Sequence, residues 1–327
     1  MIIFKNLFEH YGQRLELNFL SNFLNSNKTT SIHILNADRG LNLPLKMLYY
    51  LLNKINNSFP YYKVDKSLEI RNFNDKNLKK NWSKCPITYS PSRKLSELFW
   101  INLPWGLIKR ELNDINILDI GCGTGSYGEK FVDFSMNNIN RYLGLDIKTN
   151  NNWISLKKKY SFFQFIKFDG KDFTDLIPHE TNFFVTQSAV EHFEEDLTFF
   201  KQIRDYISSS RKEVIQIHGL PSKASLPLYR FHGVRQYTPR TISKIVRLFK
   251  DFSYSILLNL GGKHCRYLHY KYITESYRKK IGNMRRIKIQ RYNKLSFNAI
   301  KKDMVYPQKI PSHYILIIHS NSKKKIL

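Results

Sequence analysis

A short apolar run that breaks into three alternating glycines and resumes as an amphipathic helix constrains this chain more than any other feature. Residues 114–120 are apolar enough for a buried strand, and Gly121, Gly123 and Gly125 follow in Gly-x-Gly-x-Gly spacing. Residues 126–136 then place Tyr127, Phe131 and Phe134 on one helical face. Glycines between a strand and a helix let the backbone bend tightly and let a ligand lie against it. A carboxylate ends the next predicted strand: Asp146, 21 residues after Gly125. It is placed to accept hydrogen bonds from ribose hydroxyls. Asp169 ends the strand after that and is placed to accept from an adenine amino group.

The same alternation continues down the chain. Strands are predicted at 142–147, 162–168, 182–186, 213–217, 252–260 and 314–319. Helices are predicted at 153–160 and 195–208, and one more is opened by Thr238 and Pro239, a cap followed by a first-turn proline. Strands alternating with helices at this spacing give an α/β protein whose sheet is covered on both faces. Residues 1–110 read as a mixed, mainly helical extension that serves as a lid or a substrate region. It carries helices over 42–57, from Ser90-Pro91 onward and over 105–112, with a polar loop or linker at 63–84. Residues 111–320 form the ligand-binding domain, with a basic insertion at about 261–310, and 321–327 is a basic tail.

Composition bounds the partners. The net charge of +27 attracts polyanions, but 29 asparagines beside abundant Lys, Ile, Phe and Tyr also fit AT-rich coding bias. Residues 263–302 hold 13 Lys or Arg and one acid, Glu275, with Tyr267, Tyr270, Tyr272, Tyr277 and Tyr292 interspersed. That density exceeds the chain's average and keeps RNA open as a partner, against a plainly solvated basic face. No run reaches the ~18 apolar residues of a membrane span. The opening Met1-Ile2-Ile3-Phe4-Lys5-Asn6 has no leader pattern. Cys85, Cys122 and Cys265 are far apart, which suits a reducing cytoplasm and offers no metal-ligand spacing, so no metal is expected.

The segment Leu118-Asp119-Ile120-Gly121-Cys122-Gly123-Thr124-Gly125 resembles the first motif of class I S-adenosylmethionine-dependent methyltransferases. The resemblance covers roughly residues 114–260 and implies a Rossmann-like, seven-stranded, mostly parallel sheet with S-adenosyl-L-methionine as cofactor. It sets Asp119 near the cofactor's amino-acid portion, the three glycines beneath the cofactor, Asp146 on the ribose and Asp169 near adenine. Gln187-Ser188-Ala189-Val190-Glu191-His192-Phe193 is similar to the family segment under the methyl-bearing end, which adds Gln187 to the cofactor set. The stretch from Phe231 to Pro239 resembles a histidine–tyrosine–threonine segment of small-molecule and sugar methyltransferases.

Three histidines fall near the expected mouth of the site: His192, His218 and His232. Each is a candidate base, or a residue that positions the acceptor, because imidazole titrates near neutrality. His232 leads, since its surroundings also resemble the family. Each also fits a purely structural role, and Glu191 fits a helix cap. Thr186-Gln187-Ser188-Ala189 stands where amine-methylating nucleic-acid enzymes carry an Asn-Pro-Pro-Tyr type signature. The expectation is therefore O-methylation of a small molecule or carbohydrate, such as a sugar of a surface polysaccharide. An RNA methyltransferase and a non-catalytic binding subunit of the same fold are the alternatives.

Overall fold

The computed structural model describes residues 27–30, 33–58, 63–306 and 309–327. Met1 to Asn6, read for a leader, lie outside the described residues.

Eight strands form one sheet: β1 (Leu68–Asn72), β2 (Asn116–Ile120), β3 (Arg141–Asp146), β4 (Phe163–Lys167), β5 (Phe183–Gln187), β6 (Val214–Pro221), β7 (Ser253–Leu260) and β8 (His313–Ser320). Their order is β1-β7-β8-β6-β5-β2-β3-β4. β8 runs antiparallel between β6 and β7, and every other pairing is parallel. Strand order reverses between β2 and β5, and in sheets of this kind ligands bind beyond the carboxyl ends of the strands at such a reversal.

The sheet corrects the expectation of seven strands. The additional one, β1, lies in the 63–84 stretch read as a loop. It pairs with β7 from Leu68 opposite Ser255 to Asn72 opposite Asn259. As an edge strand it needs one buried residue, Leu68, and carries the Arg71–Glu69 ion pair (2.6 Å). A five-residue strand so charged leaves no apolar run to detect, and charge on an edge also discourages pairing with other chains.

Alternate residues of each buried strand feed opposite cores. Ile117 of β2 and Ile317 of β8 face one side; Leu118 and Leu316 face the other. The first side is covered by α1 (Pro91–Asn102), α2 (Trp105–Leu112) and α3 (Ser126–Phe134), through Trp100, Trp105 and Phe131. Trp105 stacks on Phe183 of β5, so residues 91–112 are built into the sheet's own core. The second side is covered by α4 (Asp196–Ser210) and α5 (Pro239–Phe249), through Phe200, Ile203 and Ile245. α5 starts as its sequence dictates: Thr238 and Thr241 form a reciprocal capping box and Pro239 fills the first turn.

The basic stretch between β7 and β8 is a packed layer. Helix 263–269 rests against helix 289–305 and against α1. Tyr292 is buried, bonds through its hydroxyl to the Tyr89 carbonyl (2.7 Å) and packs on Tyr272. Lys271 and Lys279 pair with Glu275 at 3.2 and 2.9 Å, and Arg278 donates to the Pro227 carbonyl at 2.8 Å. Among the described residues no helix is long and apolar enough to cross a membrane.

One buried ion pair joins elements far apart in sequence. Arg235 and Asp196 meet at 3.2 Å, and both side chains are fully buried. Asp196 also accepts from the Thr29 amide (2.8 Å) and the Tyr237 hydroxyl (3.0 Å). Arg235 donates to the carbonyls of Phe193 (2.6 Å) and Glu194 (2.7 Å). Removing one member strands the other's charge, which costs about 3–5 kcal/mol. Urea denaturation of Asp196→Asn is expected to show a loss of that size; a loss under ~1 kcal/mol means the network is not what holds this region.

Candidate functional site

The reversal of strand order sets the carboxyl ends of β2 and β5 side by side, and the site grows from these two ends. At β2 the chain turns through Gly121, Gly123 and Gly125, with φ of +80°, +56° and +74°. Only glycine adopts such values without strain. The amides of Gly121 and Cys122 donate to the Leu145 carbonyl at 2.7 and 3.0 Å, which ties the turn to β3. A Cβ on Gly121 would sit 2.5 Å from Cβ of Ala189, whereas nothing lies within 4 Å of one on Gly123. The first glycine is therefore needed for packing, and the second faces open space.

Asp146 ends β3 beside this turn. One of its oxygens accepts from the Gly123 amide (2.8 Å) and the other from the Lys148 amide (3.0 Å). Each oxygen keeps a lone pair for a ligand hydroxyl. A helix at 152–159 fixes the turn from outside: Trp153 Nε1 donates to the Gly123 carbonyl (2.9 Å) and Asn152 to that of Thr124 (3.0 Å). Neither residue carries a motif, so the sequence did not single them out. Asp169 is exposed in the neighbouring loop, where it accepts from the amides of Lys171 (2.8 Å) and Asp172 (3.3 Å).

Asp119 lies deeper than Asp146 and Asp169. It is sealed beneath the turn, with one oxygen accepting from the Tyr142 hydroxyl at 2.7 Å and the other lacking a partner among the described residues. Burial pushes its carboxyl up to about 7. It supports the turn from below and does not form its surface.

At the end of β5 a cavity of about 370 Å³ opens, lined by Gln187, Ser188, Glu191, His232, Tyr127 and Arg93 among others. Ser188 holds φ of +53°, a left-handed conformation that a non-glycine residue adopts at some cost. Gln187 is half-buried, and its Nε2 has no partner among the described residues. Glu191 is buried, and burial pushes its carboxyl up to about 7.

Of the three histidines, the structure brings together two. The rings of His192 and His232 stand edge to face with centroids 4.7 Å apart. His192 Nδ1 lies 2.6 Å from Asp38 Oδ2, and its Nε2 lies 4.0 Å from Glu191 Oε1. Asp38 comes from the N-terminal extension. Its short turn sits between Asn36, whose side chain accepts from the Asp38 amide, and left-handed Gly40. Burial acts to raise the Asp38 carboxyl, but bonds from His192 and the Gly233 amide outweigh it and hold the group below its usual range. Burial, then the neighbouring His192, lowers His232 from its ordinary value.

His218 is the correction among the three. It is fully buried, bonded to the Thr186 hydroxyl (2.9 Å) and packed on Phe199 and Phe200, and burial drives it down to about 3. On β6 its side chain points into the core, so it is a neutral structural histidine and not a base.

The His232 loop is locked to the turn that carries Glu191. The Val234 amide donates to the Glu191 carbonyl at 2.8 Å, and a Cβ on Gly233 would come within 2.8 Å of that oxygen. The Tyr49 hydroxyl, from the helix at 43–58, donates to the His232 carbonyl at 2.8 Å. Asp38 and Tyr49 thus shape the site although no motif marks them, and Arg235 does so from within the stretch 231–239.

No family model and no curated protein matches the chain. Among solved structures it is similar to a SAM dependent methyltransferase from Archaeoglobus fulgidus, at TM-score 0.42 and 16% identity over 75% of this chain and 100% of that one. It is similar to the plantazolicin methyltransferase BamL in complex with a triazolic desmethylPZN analog and SAH, at TM-score 0.41 and 11% identity over 85% and 97%. It is also similar to the [4+2]-cyclase SpnF, at TM-score 0.42 and 12% identity over 84% and 94%. Fold does not fix chemistry; the residues at the site do.

The first two glycines should respond differently to a methyl group. Gly121→Ala combines overpacking with a strained φ and is expected to cost about 2–4 kcal/mol in chemical denaturation. Gly123→Ala should cost only the backbone strain, about 1–2 kcal/mol. Equal losses would show that both positions are packed against protein.

Proposed function

We propose that the chain is an S-adenosylmethionine-dependent methyltransferase acting on an oxygen of a small molecule or carbohydrate. The observation that carries this is Asp146, bonded to the Gly123 amide of the open turn at the reversal of strand order. Asp146 would receive the ribose hydroxyls, Gly123 would leave room for the cofactor's body, and Asp169 would face adenine. Gln187, which lines the cavity at the end of β5, would face the methyl-bearing end. The acceptor would occupy the cavity, against Glu191 and His232, with His192 beside them.

The sulfonium methyl is already activated, so the protein's main task is alignment. When bound, the cofactor would supply that methyl to an acceptor hydroxyl that gives up its proton, the new carbon–oxygen bond replacing the carbon–sulfur bond, whose electrons would stay on sulfur. The products are a methyl ether, the demethylated cofactor and a proton. His192 or His232 would take that proton. Asp38, an acceptor when ionised, keeps hydrogen on Nδ1 of His192 and frees its Nε2. An RNA acceptor has less support, since Tyr292 is packed inward and several of the basic side chains are engaged within the protein.

S-adenosylmethionine should bind at micromolar strength, about −8 kcal/mol, in titration calorimetry. Asp146→Ala should weaken it at least tenfold, roughly 1.4 kcal/mol. No binding by the intact chain would remove the proposal. His192→Ala and His232→Ala should each lower turnover by about 10²–10⁴ while cofactor affinity stays within a few-fold. Reversing the exposed charges of Arg286, Lys288 and Arg291 should leave methylation and its salt dependence almost unchanged. Salt-sensitive transfer of labelled methyl to RNA, abolished by that variant, would move the acceptor to RNA.

A further inference from the structure

The cluster at the cavity wall has a composition that proton transfer alone does not require. Glu191, His192 and His232 each offer one ligand atom, and these atoms all lie within 4.8 Å of one another. Glu191 is 1% exposed, and its Oε2 has no hydrogen-bond partner among the described residues, although a buried carboxylate ordinarily has one. His192 Nδ1 is 2.6 Å from a carboxylate of Asp38, which leaves Nε2 on the side of Glu191. A metal-bound histidine characteristically donates its second ring hydrogen to a carboxylate in this manner. Asp38 is itself anchored, since its Oδ1 accepts from the Gly233 amide at 3.2 Å.

We propose that Glu191, His192 and His232 form a binding site for a divalent transition-metal cation, with Asp38 orienting His192 from behind. Two imidazoles and one carboxylate suit Zn²⁺, Mn²⁺ or Co²⁺, whereas Mg²⁺ and Ca²⁺ favour all-oxygen sites. Ligands about 2.1 Å from a common ion lie roughly 3–3.5 Å apart, so the three side chains must close by about an ångström. Rotation of His192 and His232, which are half-buried and exposed, can supply that closure around the fixed Glu191. Three protein ligands leave positions for water or substrate, on the side of the cavity lined by Glu191 and His232.

The existence of the site does not depend on the methyltransferase reading; its role does. A hydroxyl bound to such a cation loses its proton far more readily than a free one. The acceptor would then be an oxygen pair within reach of the ion, such as a diol or a hydroxyl beside a carboxylate. The imidazoles would serve as ligands, and the proton would leave from the bound hydroxyl to solvent.

Metal binding is read without activity. The untagged full-length chain, stripped with chelator, is titrated with CoCl₂ and followed by visible absorption, and with ZnCl₂ by calorimetry. One equivalent should bind with the ligand-field bands of a nitrogen–oxygen site. Glu191→Gln and the double variant His192→Ala/His232→Ala should weaken it by 100-fold or more, and Asp38→Asn by about 10–100-fold. Thermal melting of each metal-free variant separates lost binding from lost folding, with Glu191→Gln as the least disruptive change. Absence of those bands, or equal affinity in folded Glu191→Gln, overturns the site. S-adenosylmethionine titrated in parallel keeps the proposals apart: metal without cofactor binding removes only the methyltransferase reading, and cofactor without metal removes only this one.

Discussion

The Arg235–Asp196 pair is the interaction on which the geometry of the site depends. A guanidinium and a carboxylate without solvent are tolerable only when further hydrogen bonds surround them. Here Asp196 takes bonds from Thr29 and Tyr237, and Arg235 gives bonds to Phe193 and Glu194, with its Nε left without a partner among the described residues. Those two carbonyls follow Glu191 and His192 in sequence, and Arg235 lies three residues after His232. The pair therefore fixes one wall of the cavity against the other. It also helps draw in residues 27–30, where the Leu197 amide and Lys201 of α4 bond Asn27 at 3.0 and 2.7 Å.

Above this clamp the site is assembled from four stretches that share no local sequence. The β5 turn supplies Glu191 and His192, the loop after β6 supplies His232, and the N-terminal extension supplies Asp38 and Tyr49. The packed layer between β7 and β8 supplies His269, whose Nε2 lies 2.8 Å from the Tyr229 hydroxyl at the cavity. The extension and the insertion thus meet the sheet at its carboxyl edge, where β2 and β5 diverge. Strand direction explains this convergence, since all strands except β8 end on that edge and loops that leave it must pass the same opening.

The nucleotide side of the site is more rigid in its logic. Parallel strands need covered faces, covered faces need close helices, and close helices need small residues at the contact. Gly128 in α3 meets this need: a Cβ there would come within 2.8 Å of Tyr142 and 2.9 Å of Phe163. Tyr142 in turn bonds Asp119, so the acid that precedes the glycine turn is occupied by the packing beneath it.

The sequence by itself determined what depends on neighbours along the chain. The glycine turn, Asp146 at the end of its strand, the capping box at Thr238 and the alternation of strand and helix all follow from local spacing and backbone geometry, and the structure contains each of them. It did not reveal β1, because an edge strand with one buried side chain leaves no apolar signal. It grouped His218 with His192 and His232, because three histidines after strands look equivalent until the sheet assigns each a face. Only tertiary structure turned His218 into the core and brought Asp38 across 154 residues to His192. The physical reason is that burial and long-range pairing are properties of faces and loops that meet in space, and the order of residues along a chain does not record which of them will meet.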